Sequence, residues 1–249
     1  TVDWEQRNLA LSAAHEAWLE TPLGAAVLEL EAQVLADALG DVFGFELLQV
    51  GEWGARGELS ATARTQHRCW LAPDATGPGA IRAAYDALPI ASASVDAVLL
   101  AHTLEHAPHP HALLREVERV LAGEGHVLVC GFSPFGPWGA RNLLSRGRFP
   151  PTATRLLSER RLRDWLGLLG FEVTQSRRYL FVPPWPQRLS ARSRSWLEAH
   201  GPSFAAPLAG AYLLKARKRV RGLTPIRPVW PKRLAVVGGI AEPTSRNAA

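Results

Sequence analysis

The segment Val95-Asp96-Ala97-Val98-Leu99-Leu100-Ala101 contains a single charge and is otherwise apolar. A strand with one wet face alternates apolar and polar residues, whereas an unbroken apolar run is covered on both sides, as in a parallel sheet between helices. The residues beyond it fit that reading. Pro110 opens a stretch in which Leu113, Leu114, Val117, Val120 and Leu121 form one helical stripe, with Arg115, Glu116, Glu118 and Arg119 on the other face and Gly123 as the stop. Val127-Leu128-Val129-Cys130 is then a second apolar run. Strand, helix and strand in this order predict an α/β fold with a mainly parallel sheet.

The same rhythm extends outward. Residues up to about 40 read as helical, with Leu23, Val27, Leu30 and Val34 at helical spacing, Thr21-Pro22 at the start and Gly40 at the end. Leu47 to Val50 reads as a buried strand ending in Gly51, and a second strand is expected near Arg68-Cys69-Trp70-Leu71. Ser158 caps a helix with the stripe Leu162, Trp165, Leu166 and Leu169, and Phe171–Val173 and Tyr212–Leu214 are further strands. The organisation expected is a helical segment at 1–40, an α/β domain at 41–220 and a basic, proline-containing tail at 221–249. Ligands of such sheets bind beyond the carboxyl ends of the strands, which points to the residues after Val50, Ala101 and Cys130.

Composition narrows the class. No apolar run approaches the ~20 residues of a membrane helix, and Cys69 and Cys130 read as buried free thiols, so a soluble, cytoplasmic protein is expected. Charge is graded along the chain. Residues 1–60 hold 11 acids and 2 bases, whereas residues 141–249 hold 5 acids and 21 bases. Either the basic third meets an anionic partner such as RNA through residues 141–233, or it packs against the acidic N-terminal helices. Pro225, Pro228 and Pro231, at period three among Arg227, Trp230, Lys232 and Arg233, suit an extended arm.

The stretch from Leu88-Pro89 through Ser94-Val95-Asp96 to Leu100 resembles the signature of class I S-adenosylmethionine-dependent methyltransferases, methyltransferase type 11-like. So do Leu104-Glu105-His106, Leu113-Leu114-Arg115-Glu116 and Arg119-Val120-Leu121 further along the chain. The resemblance implies a Rossmann-like, mostly parallel seven-stranded sheet with N-terminal helices and a basic C-terminal tail. It further implies S-adenosylmethionine as cofactor and methyl transfer to an acceptor, a small molecule ahead of RNA or protein. The alternative is a catalytically silent methyltransferase-fold binding module.

By the same resemblance, Val50-Gly51-Glu52-Trp53-Gly54 stands at the glycine-rich loop, with Trp53 where the second glycine belongs and Gln49 in place of the usual acid. The cofactor-binding residues it implies are Gly51, Glu52, Trp53, Gly54, Asp74, Asp86, Ala87, Leu88, Ala101 and His102. Asp74 is the substitute for the ribose-binding acid, and backbone amides of Ala87 and Leu88 border the donor. His102 and His106 are the candidate catalytic bases. His102, His106, His109 and His111 also raise a metal site, but Pro108 and Pro110 break the helix that would align them, so no metal is expected. The loop Gly131 to Gly139 is expected either to grip an acceptor, with Arg141, Arg146 and Arg148 behind it, or to pack its own aromatics.

Overall fold

The computed structural model describes residues 13–54, 58–73, 75, 79–145, 149–150, 155–185 and 190–220. The proposed tail, Asp74, Arg146 and Arg148 lie outside them.

A helical segment at 13–19 leads into α1 (Pro22–Leu39), whose first turn is capped by Thr21 accepting from the Gly24 amide at 3.1 Å. Proline at the first helical position costs nothing there, because that amide has no intrahelical partner. The strands are β1 (Phe43–Val50), β2 (Arg64–Ala72), β3 (Ala80–Arg82), β4 (Val95–Ala101), β5 (Leu121–Phe132), β6 (Phe171–Tyr179) and β7 (Ala211–Lys218). Between them run α2 (Thr103–His106), α3 (Pro110–Val120), α4 (Gly136–Leu144), α5 (Glu159–Leu168) and α6 (Ala191–Phe204), with a 3-10 turn at Ala206–Leu208.

The sheet order is β3-β2-β1-β4-β5-β7-β6. All neighbours are parallel except β7, which lies antiparallel to both β5 and β6. Chain order reverses between β1 and β4, the place where sheets of this kind bind ligands, and Gly51 and His102 stand at the carboxyl ends of those two strands. One face is filled by the stripe of α3 and by Leu162 and Leu166 of α5. The other is filled by α1 together with Trp18, Trp53, Phe132 and Trp138.

Asp96, the lone charge of the β4 run, accepts from the amides of Phe45 (2.6 Å) and Glu46 (3.0 Å) and so ties the start of β1 to β4. The first correction concerns β5. Gly123 does not separate helix from strand: Leu121 is already extended and pairs with Val95. The second concerns the segment after β5. Phe132 still belongs to the strand, and Gly136-Pro137 starts α4 rather than continuing a loop, again with proline in the first turn. Phe132 and Trp138 are buried and stacked with ring centroids 5.6 Å apart, so these aromatics are core while Phe135 stays exposed.

Candidate active site

The carboxyl end of β1 is built by close approach. Gly51 has φ +103° and Gly54 φ +80°, conformations that L side chains rarely adopt. A Cβ on Gly51 would stand 2.5 Å from Oγ1 of Thr103. That hydroxyl donates to the Val50 carbonyl, binding the end of β1 to the first turn after β4.

His102 caps the end of β4 in the left-handed region, φ 55°, and is almost completely buried. Its Nε2 lies 2.7 Å from Oε1 of Glu31 and its Nδ1 3.3 Å from Oε2 of Glu105. Burial pulls the imidazole pKa down, but the two carboxylates outweigh burial and lift it to about 10. Both ring nitrogens face carboxyl oxygens, an arrangement that favours the imidazolium with each N–H donated, while burial in turn raises the pKa of Glu105.

Glu31 also accepts from the Trp53 indole N–H and from the Tyr179 hydroxyl at 3.1 Å, while Glu105 accepts from the Phe132 amide. The Trp53 ring is thereby drawn into the core under α1. It lies 4.2 Å from the His102 ring and 4.5 Å from the His15 ring, centroid to centroid. Its carbonyl accepts from Nε2 of Gln49 at 3.2 Å.

Two buried polar atoms beside Trp53, Oε1 of Gln49 and Nε2 of His15, have no hydrogen-bond partner among the described residues. His15 is held neutral: burial, then the neighbouring His106 and His102, lower its pKa to about 2. Half-buried His106 faces the Tyr85 hydroxyl at 3.5 Å and the His15 ring at 5.9 Å. Burial and the His102 cation bring its pKa to about 4.

Of the residues expected at the site, Gly51, Trp53, Ala101 and His102 are buried at the ends of β1 and β4, with half-buried Glu52 and Gly54 beside them. Asp86 and Ala87 are exposed beyond β3. The Leu88 amide is already engaged, donating to Glu116 at 2.9 Å. Arg119, paired with Glu116, donates to the carbonyls of Leu88 and Ile90, each at 2.9 Å. The Leu88-Pro89 and Glu116–Arg119 stretches of the signature thus hold one another in place. His109 is exposed before α3, and the His111 ring lies 3.8 Å from that of Trp165, so the four histidines do not converge.

Glu31, His15 and Tyr179 were not anticipated from sequence. For Glu31 a signal existed: it lies four residues after Val27 and three before Val34, on the apolar stripe of α1. A carboxylate in a core position needs a buried partner.

The wider comparisons agree with this architecture. A family profile described as a methyltransferase domain matches residues 57–129. The uncharacterized protein YafS of Escherichia coli is 34% identical over 212 residues, covering 85% of this chain and 84% of that protein. The uncharacterized protein Rv2003c of Mycobacterium tuberculosis is 30% identical over 188 residues, covering 70% of this chain but 62% of the longer relative. Among solved structures, a Burkholderia thailandensis 1,6-didemethyltoxoflavin-N1-methyltransferase with bound 1,6-didemethyltoxoflavin and S-adenosylhomocysteine superposes with a TM-score of 0.56 at 16% identity, covering 88% of this chain and 89% of that one. A SAM-dependent methyltransferase from Archaeoglobus fulgidus superposes at 0.52 with 13% identity, covering 76% and 93%.

Proposed function

Because this chain belongs to the class I S-adenosylmethionine-dependent methyltransferase family, we propose that it methylates a small-molecule acceptor at the carboxyl ends of β1 and β4. S-adenosylmethionine is the cofactor, and when bound it supplies a methyl group activated by the adjacent sulfonium.

The observation that carries the site is the orphaned pair Gln49 Oε1 and His15 Nε2 beside Trp53. Leaving a buried polar atom unpaired costs ~1–3 kcal/mol, and native proteins rarely tolerate it without a reason. The methionyl end of the donor offers both missing partners: its ammonium suits the Gln49 oxygen, and its carboxylate suits a His15 N–H. Gly51 and Gly54 shape the adjoining turn, with Glu52 at its rim. Ala101 and His102 form the floor, the latter as a fixed cation locked by Glu31 and Glu105. Asp86 and Ala87 are assigned to the adenosyl side; Leu88 contributes its side chain, since Glu116 takes its amide.

Methyl transfer depends chiefly on in-line positioning. His106, neutral near pH 7, is assigned to the acceptor side, where it can accept a hydrogen bond from the nucleophile. Residues 41–220 carry the activity, with residues 13–39 completing the site through His15 and Glu31. The free thiols Cys69 and Cys130 suit a reducing cytoplasm.

The small-molecule reading is preferred to RNA because part of the basic third is already neutralised internally. Arg177 pairs with Asp37 at 2.6 Å, Arg178 with Glu159 at 2.7 Å, and Lys215 with Asp41.

Thermal unfolding with S-adenosylhomocysteine tests the reading. At 100 times its Kd the ligand adds ~2.7 kcal/mol of stability, and Gln49→Leu or His15→Phe diminishes that gain. Absence of any shift in the wild-type chain at millimolar ligand overturns the proposal.

A further inference from the structure

Gly51, Trp53, Ala101 and His102 are buried, and so are the two orphaned atoms, Oε1 of Gln49 and Nε2 of His15. A methyl donor reaches those atoms only after some element has moved. Trp53 is not that element, because its indole donates to Glu31 and its carbonyl accepts from Gln49 at 3.2 Å. Residues 13–20 are held differently. His15 and Trp18 are buried, while Glu16, Ala17 and Glu20 are exposed. The His15 ring lies 4.5 Å from Trp53 and 5.9 Å from His106, and the Trp18 ring 5.6 Å from Trp53 and 6.3 Å from Phe149, centroid to centroid. Among the described residues, the polar ties of 13–20 to the rest of the chain all lie at an elbow formed by Thr21. Its amide and hydroxyl both donate to the Trp18 carbonyl, at 3.0 and 2.6 Å, and the hydroxyl oxygen accepts from the Gly24 amide. Gly24 packs so closely that a Cβ there would stand 2.1 Å from the Trp18 carbonyl oxygen.

We propose that residues 13–20 are a gate, which swings about Thr21 to admit the methyl donor and then closes so that His15 meets its carboxylate. The proposal rests on the donor being bound at the ends of β1 and β4. Local opening draws on the elements with the fewest fixed contacts. Parting this segment from the domain separates aromatic rings but breaks no hydrogen bond to the sheet, whereas moving α1 would break the Glu31–His102 pair. Opening also wets Nε2 of His15, so the orphaned atom that destabilises the shut, empty site favours the open one. A bound carboxylate reverses the balance by supplying the missing partner, and the ligand thereby shifts the population toward the shut state. The exposed face of Glu16, Ala17 and Glu20 stays in water in both positions.

Hydrogen exchange and stopped-flow tryptophan emission on the full chain, with S-adenosylhomocysteine as the ligand, test the gate. In the free chain the amides of residues 17–20 are expected to exchange at least about tenfold faster than those of residues 30–38 in α1, and binding is expected to slow them by a similar factor. The observed binding rate is expected to level off as ligand is raised, because opening limits it. Gly24→Ala cannot keep the elbow closed, yet alanine suits α1 better than glycine does. That variant is expected to bind faster and to hold the ligand about tenfold more weakly, the worth of the one hydrogen bond that His15 no longer makes. Unchanged exchange at Val98 verifies that its sheet is folded. Exchange at 17–20 as slow as in α1 without ligand overturns the gate and leaves the donor site in place. So does a binding rate that rises linearly with ligand and is the same in both chains. Failure of the wild-type chain to bind at all removes both.

Discussion

Glu31 and His102, 71 residues apart in sequence, meet with Oε1 and Nε2 separated by 2.7 Å in a site closed to solvent. The contact joins the helix that precedes the sheet to the end of its central strand. It gives the N-terminal helical segment a part in the site rather than the position of an appendage.

Removing either partner leaves buried charge behind. Glu31→Ala is expected to cost ~3–5 kcal/mol, the usual penalty for breaking a buried ion pair. It also frees the Trp53 indole N–H. Urea unfolding with tryptophan emission reads both effects, and a loss within about 1 kcal/mol, the worth of a surface pair, would contradict the geometry.

The pH profile of stability should fall on both sides. On the alkaline side the folded state holds the His102 proton more tightly than the unfolded chain does. Its contribution is therefore complete below about pH 6.5 and is lost as pH rises toward 10. On the acid side His15 and His106 are folded as neutral rings, so stability declines as pH drops below about 6.5 and the unfolded chain takes up their protons. His102→Gln should flatten the alkaline limb and His15→Phe part of the acid limb in chemical denaturation from about pH 4 to about pH 10.

Gly51→Ala should destabilise the chain by ~2 kcal/mol or more. The positive φ alone costs ~1–2 kcal/mol for a residue with a Cβ. That Cβ must also displace the Thr103 side chain, 2.5 Å away. Thr103→Ala relieves the clash but not the dihedral, so the double variant should recover only part of the loss.

Arg119→Lys should loosen the segment after Tyr85 without unfolding the sheet. A lysine cannot reach the carbonyls of Leu88 and Ile90 while gripping Glu116 with two nitrogens. Amide exchange should quicken at Leu88 and remain slow at Val98, in the middle of β4; uniform acceleration would mean that the arginine supports the whole fold instead.

The sequence was most readable where local pattern and burial agree. β4, α3 and the caps Thr21 and Ser158 come directly from apolar runs, a helical stripe and side chains that satisfy free amides. β3 is three residues long and carries too little pattern to register. α6, with Pro202 inside it and no apolar stripe, is anchored by Glu198 receiving amides from the preceding segment rather than by amphipathicity. The positions of Gly51 and His102 at the ends of β1 and β4 were legible because the resemblance places them there. The contacts of Glu31 and His15 were not, because a buried polar side chain is defined by what reaches it from distant parts of the chain.

β7 lies between β5 and β6 and runs against both. Among the described residues, the strand synthesised last is therefore the one on which two earlier strands wait. As a nascent chain emerges from the ribosome, β6 has no strand to join and the outer edge of β5 stays open until residues 211–218 appear. Translation halted ahead of Ala211 would thus release a polypeptide with two unsatisfied strand edges, a natural substrate for chaperones.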